Sequence, residues 1–349
     1  MANIPTLDEW RALYAAAAQI KAAAPWEWLE ETDIFGVQNP DKDEIGFISI
    51  MGMAGEHFSI AVYLGARGLY GFAAMQEAAL EGDFEPFLLT PHMQASFEDR
   101  EALEDQDRAV IKKLGLKFRG KSEWPLFRSH QPAHVPWYLE ADEARFLTVA
   151  LQQVLDVALR VKENPDLLNV THEDLYLVRV PKKQADGSLI WEDRTIKIQE
   201  PKPVDLNIPM DITALDQLKS LPLKRAVVEV DFFLLPSGLQ DDREERPYFP
   251  YMLLMVESEN GTILGAEMVK PKPTIESAWE QVPLTLTRAL GQAKLRPTEI
   301  RTYLPEMVAV LEPMAKQLGF KLVESEDELS SLEDAKEGLL GYMLGGMGE

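Results

Sequence analysis

The sequence predicts two mixed domains in series. The first is an α+β domain built on an antiparallel meander with helices; the second is an α/β domain in which three hairpin-linked strands lead into alternating helices and strands. Three observations carry this expectation. The chain has 349 residues, 46% of them hydrophobic, which is long for one core and supplies apolar material for two. Turn dipeptides punctuate short apolar runs in both halves, Asp186-Gly187 and Asn260-Gly261 being the clearest hairpin signals. Between the halves, Pro201 to Pro209 is broken by prolines and lacks a long apolar run, which marks a linker. The expected division is residues 1–200, a linker at 201–213, and residues 214–349.

Taken in order, Thr6 to Ala24 is expected as a helix. Leu7, Trp10, Leu13, Tyr14, Ala17 and Ile20 recur at helical spacing, and Thr6 with Glu9 forms a capping-box pattern. Pro25 stops it, and the indoles of Trp26 and Trp28 follow, read either as a plug between helix and sheet or as a stacking site for a ligand. Strands are expected at Ile34 to Gln38, Ile45 to Met51 and Phe58 to Leu64, with Gly65 and Gly68 closing the third turn. The glycines of GMAGEH match neither the dinucleotide fingerprint nor the P-loop, so they read as a hairpin turn. A helix over Leu69 to Leu80, a strand within Pro91 to Asp99 and a helix ending near Gly115 come next. The stretch from Phe118 to Trp137, rich in Pro, Ser and His, reads as a loop. Asp142 to Lys162 is the longest helix, and Leu175 to Pro181 with Ser188 to Ile198 makes a hairpin.

In the second domain a short helix near Thr213 to Leu221 precedes strands at Ala226 to Leu235, Tyr251 to Glu257 and Thr262 to Val269. Then come a helix (Ile275 to Ala293, kinked or split at Pro283), a strand (Glu299 to Leu304), a helix (Pro305 to Leu318), a strand (Phe320 to Glu324) and a helix (Glu326 to Met343).

Composition narrows the function. There is no cysteine, which removes disulfides, thiolate zinc sites and cysteine nucleophiles. The net charge is -23, spread over both halves, with 21 basic and 35 acidic residues up to Thr213 and 14 and 23 beyond it. Nonspecific nucleic-acid binding, which rests on neutralising phosphates, is therefore disfavoured. Solubility accounts for the charge, and an acidic docking surface for a protein partner is the other reading. The N-terminus lacks a signal-peptide pattern, and the longest apolar helix, Phe146 to Val161, is interrupted by Gln152, Gln153 and Asp156, so a cytoplasmic protein without membrane contact is expected. No cofactor is expected.

His130 and His134 are weak metal candidates. Pro132 between them and Pro136 after them deny the helical geometry that would put both imidazoles on one face, so surface-loop histidines are the simpler reading. Asp231 poses the sharper question, because it is a lone carboxylate in the apolar run AVVEVDFFLLP, where an ionised group needs a partner.

Three meandering strands followed by alternating helices and strands resemble the ribonuclease H-like fold in element order. That resemblance implies carboxylates on the first strand, at the end of the fourth strand and on a late helix, clamping two divalent cations about a scissile phosphate. Asp231 falls at the first position and Glu328 or Asp334 at the third, with Glu229 a further candidate if the site is a nuclease's. Thr302 and Tyr303 stand where the fourth-strand aspartate is expected, so the resemblance implies a scaffold whose active site is degenerate. Magnesium or manganese enters only under the alternative, a nuclease or phosphoesterase using Asp231, Glu328 or Asp334. In the other reading of Asp231 its side chain points outward or pairs with a cation, for which Arg225, Arg246, Arg296 and Arg301 are available. Across the chain, PWEW, FGVQNP, the glycine turn before IAVYLG, RPYFP and RPTEI resemble a family of uncharacterised bacterial proteins built from two domains of unknown function. The expectation is a non-enzymatic interaction or regulatory protein. The remaining alternative is a small-molecule binder with its pocket between the domains near Trp26, Trp28, Trp124 and Trp137.

Overall fold

The computed structural model describes residues 3–169, 174–202, 204–243 and 245–345. The chain forms two compact units, residues 1–202 and 203–349, each a mixed α/β structure on a mixed sheet.

The first unit opens with helix α1 (Leu7–Ala23), where Thr6 and Glu9 close the capping box and Ala24 adopts a left-handed cap. Strands β1 (Phe35–Gln38), β2 (Ile45–Met51) and β3 (Phe58–Leu64) form the meander. Helix α2 (Gly65–Glu81), the one-turn α3 (Glu85–Leu89), β4 (His92–Glu98), α4 (Asp105–Leu114), β5 (Trp124–His130), α5 (Ala141–Glu163), β6 (Leu175–Lys183) and β7 (Leu189–Lys197) follow. The seven strands lie in the order β5-β4-β3-β2-β1-β6-β7.

The sequence expectation needs three corrections here. The sheet is not a pure antiparallel meander, because β6 pairs parallel with β1; the connection between them runs through α5 and is long enough for a parallel crossover. Gly65 and Gly68 do not close a turn but open α2, and a Cβ on Gly68 would meet the Tyr63 carbonyl carbon at 2.7 Å. These glycines let the helix leave the strand without a loop, and they hide its start from helical periodicity. Finally, β5 lies within the stretch read as a loop. Pro125 is tolerated because β5 is an edge strand, paired on one side with β4.

One sheet face packs against α1 and α5, with Leu13, Ala17, Ile20, Ala144, Leu147, Leu151 and Val154 meeting Val37, Ile48, Ile60, Val62, Met93 and Phe127. The other carries Phe47, Ala61 and Tyr63 against Leu69, Phe72 and Met75 of α2. Strand alternation produces the division, since residues at even and odd positions of β2 and β3 go to different faces.

The second unit contains α6 (Ile212–Ser220), β8 (Leu223–Leu234), β9 (Tyr251–Glu257), β10 (Thr262–Val269), α7 (Ile275–Gln292), β11 (Arg296–Thr302), α8 (Pro305–Leu318), β12 (Lys321–Glu324) and α9 (Ser330–Gly345). Its strands lie in the order β10-β9-β8-β11-β12. The first three pair antiparallel and the last two join in parallel. Helix α7 runs through Pro283 as one helix, so the split does not occur. Strand β11 begins three residues earlier than expected, because Arg296 and Pro297 already pair with Leu223 and Lys224 of β8. Phe232 meets Trp279 of α7 at 4.8 Å on one face, whereas Phe233 joins Met252, Leu254 and Val256 under Leu329 and Leu332 on the other.

Packing in the first unit is tight at Gly46, where an added Cβ would lie 2.5 Å from Val62 and 2.9 Å from the Phe146 ring. Gly46→Ala is therefore expected to destabilise the first unit by about 1–3 kcal/mol through overpacking; urea unfolding followed by tryptophan fluorescence measures it.

Candidate functional site

The face of β8 under α9 carries two of the carboxylates that the sequence singles out, Glu229 and Asp231. Glu229 and Asp231 sit two residues apart on one strand and so share a face. They are nearly buried, at 3% and 5% exposure. Each has a specific partner. Lys336, one turn and a half into α9, donates from Nζ to Asp231 Oδ2 at 2.7 Å, and the second carboxylate oxygen accepts the Phe232 amide at 2.8 Å. The same ammonium lies 4.3 Å from the centre of the Phe233 ring. Glu229 accepts Ser258 Oγ on one oxygen at 2.5 Å and the Leu332 amide on the other at 2.9 Å. That amide belongs to the first turn of α9 and also reaches the Leu329 carbonyl at 3.0 Å, and a carboxylate there meets the positive end of the helix dipole. Ser331 Oγ closes the group by donating to the Ser258 carbonyl at 2.9 Å.

The partner of Asp231 is thus a lysine and none of the four arginines proposed from sequence. Arg296 is committed to the carbonyls of Leu318 and Lys219, and Arg301 to Glu299. A signal was present in the sequence, since Lys336 is the sole basic residue after Lys321 in an otherwise acidic tail. The other predicted site residues lie elsewhere. Glu328 precedes α9 instead of riding on it, and it and Asp334 are exposed. At the end of β11, Thr302 is buried with its hydroxyl accepting the Leu304 amide, and the Tyr303 hydroxyl accepts the Leu329 amide. Both positions therefore bind protein backbone. The arrangement does not fit a pair of divalent cations, because one carboxylate holds an ammonium and the other a helix terminus. Among the described residues no group of three His, Asp or Glu side chains is placed to hold a metal ion.

His130 ends β5 and stacks on His92 of the neighbouring strand, with ring centres 3.9 Å apart and planes inclined by 17°. His134 lies beyond the turn and its Nδ1 contacts the Pro132 carbonyl at 2.8 Å. The fourfold spacing thus does not create the pair; register between β4 and β5 does. His92 donates from Nδ1 to the Thr90 carbonyl at 2.9 Å, and burial pushes its pKa down to about 4.

The four indoles all belong to the first unit. Trp26 is buried against Phe58 and Phe97, Trp28 donates its ring N–H to the Ala158 carbonyl, Trp124 packs beside Phe118, and Trp137 lies edge-on to Tyr138. A groove of about 490 Å³ beside α2 is lined by Phe72, Gln76, Asp33 and Tyr176 and by none of these indoles.

Fold and site together define a two-domain protein in which the buried carboxylates of Glu229 and Asp231 are satisfied by the chain itself. Residues 10–179, in the first unit, match the family model described as Domain of unknown function (DUF7309), and residues 214–340, in the second, match Domain of unknown function (DUF6930). No curated protein matches the chain. No helix among the described residues is long and apolar enough to cross a membrane.

Two stability predictions follow from these geometries. Lys336→Met leaves Asp231 nearly buried without its cation and is expected to cost about 2 kcal/mol, less than the 3–5 kcal/mol of a fully buried pair because Lys336 keeps some water. The double variant Asp231→Leu with Lys336→Met is expected to recover part of that loss in a urea-unfolding double-mutant cycle. For His92, the unfolded chain binds the proton more tightly than the folded one, so stability is full above about pH 6.5 and is lost as the pH falls toward 4, by up to about 3 kcal/mol. His92→Asn should flatten that part of the pH–stability curve.

Proposed function

We propose that the second unit is a ribonuclease H-like scaffold that has exchanged its metal site for internal contacts, and that the protein works by binding a partner, as a non-enzymatic interaction or regulatory protein in the cytoplasm. The observation that carries this reading is the ammonium of Lys336 on Asp231. Asp231 occupies the first-strand position, and the cation beside it is supplied by α9 of the same chain. Two features support the reading further. Three antiparallel strands and two parallel ones, linked through α7 and α8 and followed by α9, follow the element order on which the resemblance rests. Thr302 and Tyr303 at the end of β11 spend their hydroxyls on backbone amides, where the resemblance calls for an anionic ligand.

A lysine ammonium is a fixed single charge with three donors, so it neutralises one carboxylate without opening a coordination site for phosphate. The acidic surface suits a basic protein partner better than nucleic acid. A cation that bound only the folded state would raise its melting temperature. The purified protein is therefore expected to melt at the same temperature with and without about 10 mM magnesium or about 1 mM manganese, and to leave single- and double-stranded DNA and RNA uncut. A manganese-dependent stabilisation or cleavage that disappears in Asp231→Asn overturns the reading.

A further inference from the structure

Among the described residues the two sheets end in four edge strands, and three of them are guarded. On β5, the outward amide and carbonyl of Ser129 are taken up by Trp137 at 2.8 and 2.9 Å. Strand β7 carries Glu192, Asp193, Arg194 and Lys197. Strand β12 has four residues, including Lys321 and Glu324. Strand β10 is different: eight residues long, it has Glu267 as its one charge and neither lysine nor proline, and among the described residues it pairs with β9 alone. An edge of this length with a single charge is a template for another strand.

The side chains of β10 also have a particular order. A bulge lies between Ile263 and Gly265, so Ile263 stands opposite Val256, Ala266 opposite Leu254 and Met268 opposite Met252. Those three partners lie on the α9 face. The bulge, which often blunts an edge, here returns Ile263 to the same face as Ala266 and Met268. Ile263 and Met268 are 49% and 57% exposed. Gly265 and Glu267 take the opposite face, where a Cβ on Gly265 would approach Ala289 of α7 at 3.2 Å.

We propose that β10 pairs with β10 of a second copy of this chain, antiparallel and about a two-fold axis at Ala266, joining the two sheets of the second units into one. Self-complementarity argues for this occupant. With Ala266 on the axis, two small side chains meet where the strands are closest. Gly265 then faces Glu267 of the other copy, so the acidic residue meets a position without a side chain and the like charges stay apart. Beyond the bulge, Ile263 faces Met268 of the other copy on the α9 face, and Thr262 faces Val269. Each exposed apolar residue of the strand covers its counterpart, as a two-fold contact requires. A register with Glu267 on the axis would oppose two carboxylates and is disfavoured.

The test uses the absence of cysteine from the chain. Facing residues of an antiparallel pair have Cα atoms about 4.5–5.5 Å apart, within disulfide reach. Ala266→Cys is therefore expected to give a disulfide-linked dimer on mild oxidation, and Leu189→Cys, on the charged edge β7, to give none. The unmodified chain is expected to be dimeric by light scattering, and the double variant Ile263→Lys with Met268→Lys to be monomeric with an unchanged circular dichroism spectrum. A monomeric unmodified chain, a double variant that remains dimeric, or equal cross-linking at positions 189 and 266 overturns the proposal. None of these readouts depends on the metal site, so the outcome is independent of the proposed function.

Discussion

Much of the second unit's form follows from the need to satisfy two carboxylates side by side on a buried strand face. Glu229 and Asp231 sit two residues apart on one strand face in surroundings with little water, where unpaired charge is expensive. The chain answers with two different devices from one helix. The N-terminal amide of α9 takes Glu229, and a lysine one turn further on takes Asp231. Because both anchors come from α9, the helix is fixed in position along β8 as well as in distance from it. Leu329 and Leu332 are then placed over Phe233, Met252, Leu254 and Val256. The polar contacts specify where the helix sits, and the apolar contacts hold it there.

The same economy leaves Glu229 and Asp231 with no oxygen aimed at a shared cation. A divalent-ion site needs several anionic oxygens facing a common point. In this unit the oxygens face protein donors, each at ordinary hydrogen-bond distance. Replacing such contacts by a cation would release the first turn of α9 and leave Lys336 beside a like charge. The helix and a bound ion compete for the same two side chains.

Much of the architecture was legible in the sequence, and the exceptions share a cause. Helix α1, strands β2, β3, β9 and β10, and helix α8 end within a residue of expectation because local chemistry terminates them: Thr6 and Glu9 at one cap, Gly319 at another, Asn260-Gly261 at a turn. The start of α2 was hidden because Gly65, at a positive φ of 62°, and Gly68, packed against the Tyr63 backbone, carry no apolar signal. Strand β5 was hidden because prolines and histidines at a sheet edge look like a loop. Pairing between distant segments was not legible at all. Nothing local says that β6 lies parallel to β1, or that His130 meets His92. At the candidate site, Asp231 was legible as a lone carboxylate in an apolar run, but the outward orientation that alternation allowed is not adopted, since it is buried against a cation; Lys336 was visible only as an oddity of charge whose partner lay 105 residues away.

Two buried ionisable groups, one in each unit, are handled in opposite ways. In the first, His92 donates one ring proton to a backbone carbonyl and burial keeps it neutral, stacked on His130. In the second, Asp231 stays beside an ammonium. A neutral imidazole costs little to bury at neutral pH and becomes a liability only on acidification, whereas an ion pair needs its partner at every pH where both are charged. Acid therefore acts on the first unit through His92, whose ring must take up a proton that its buried place disfavours.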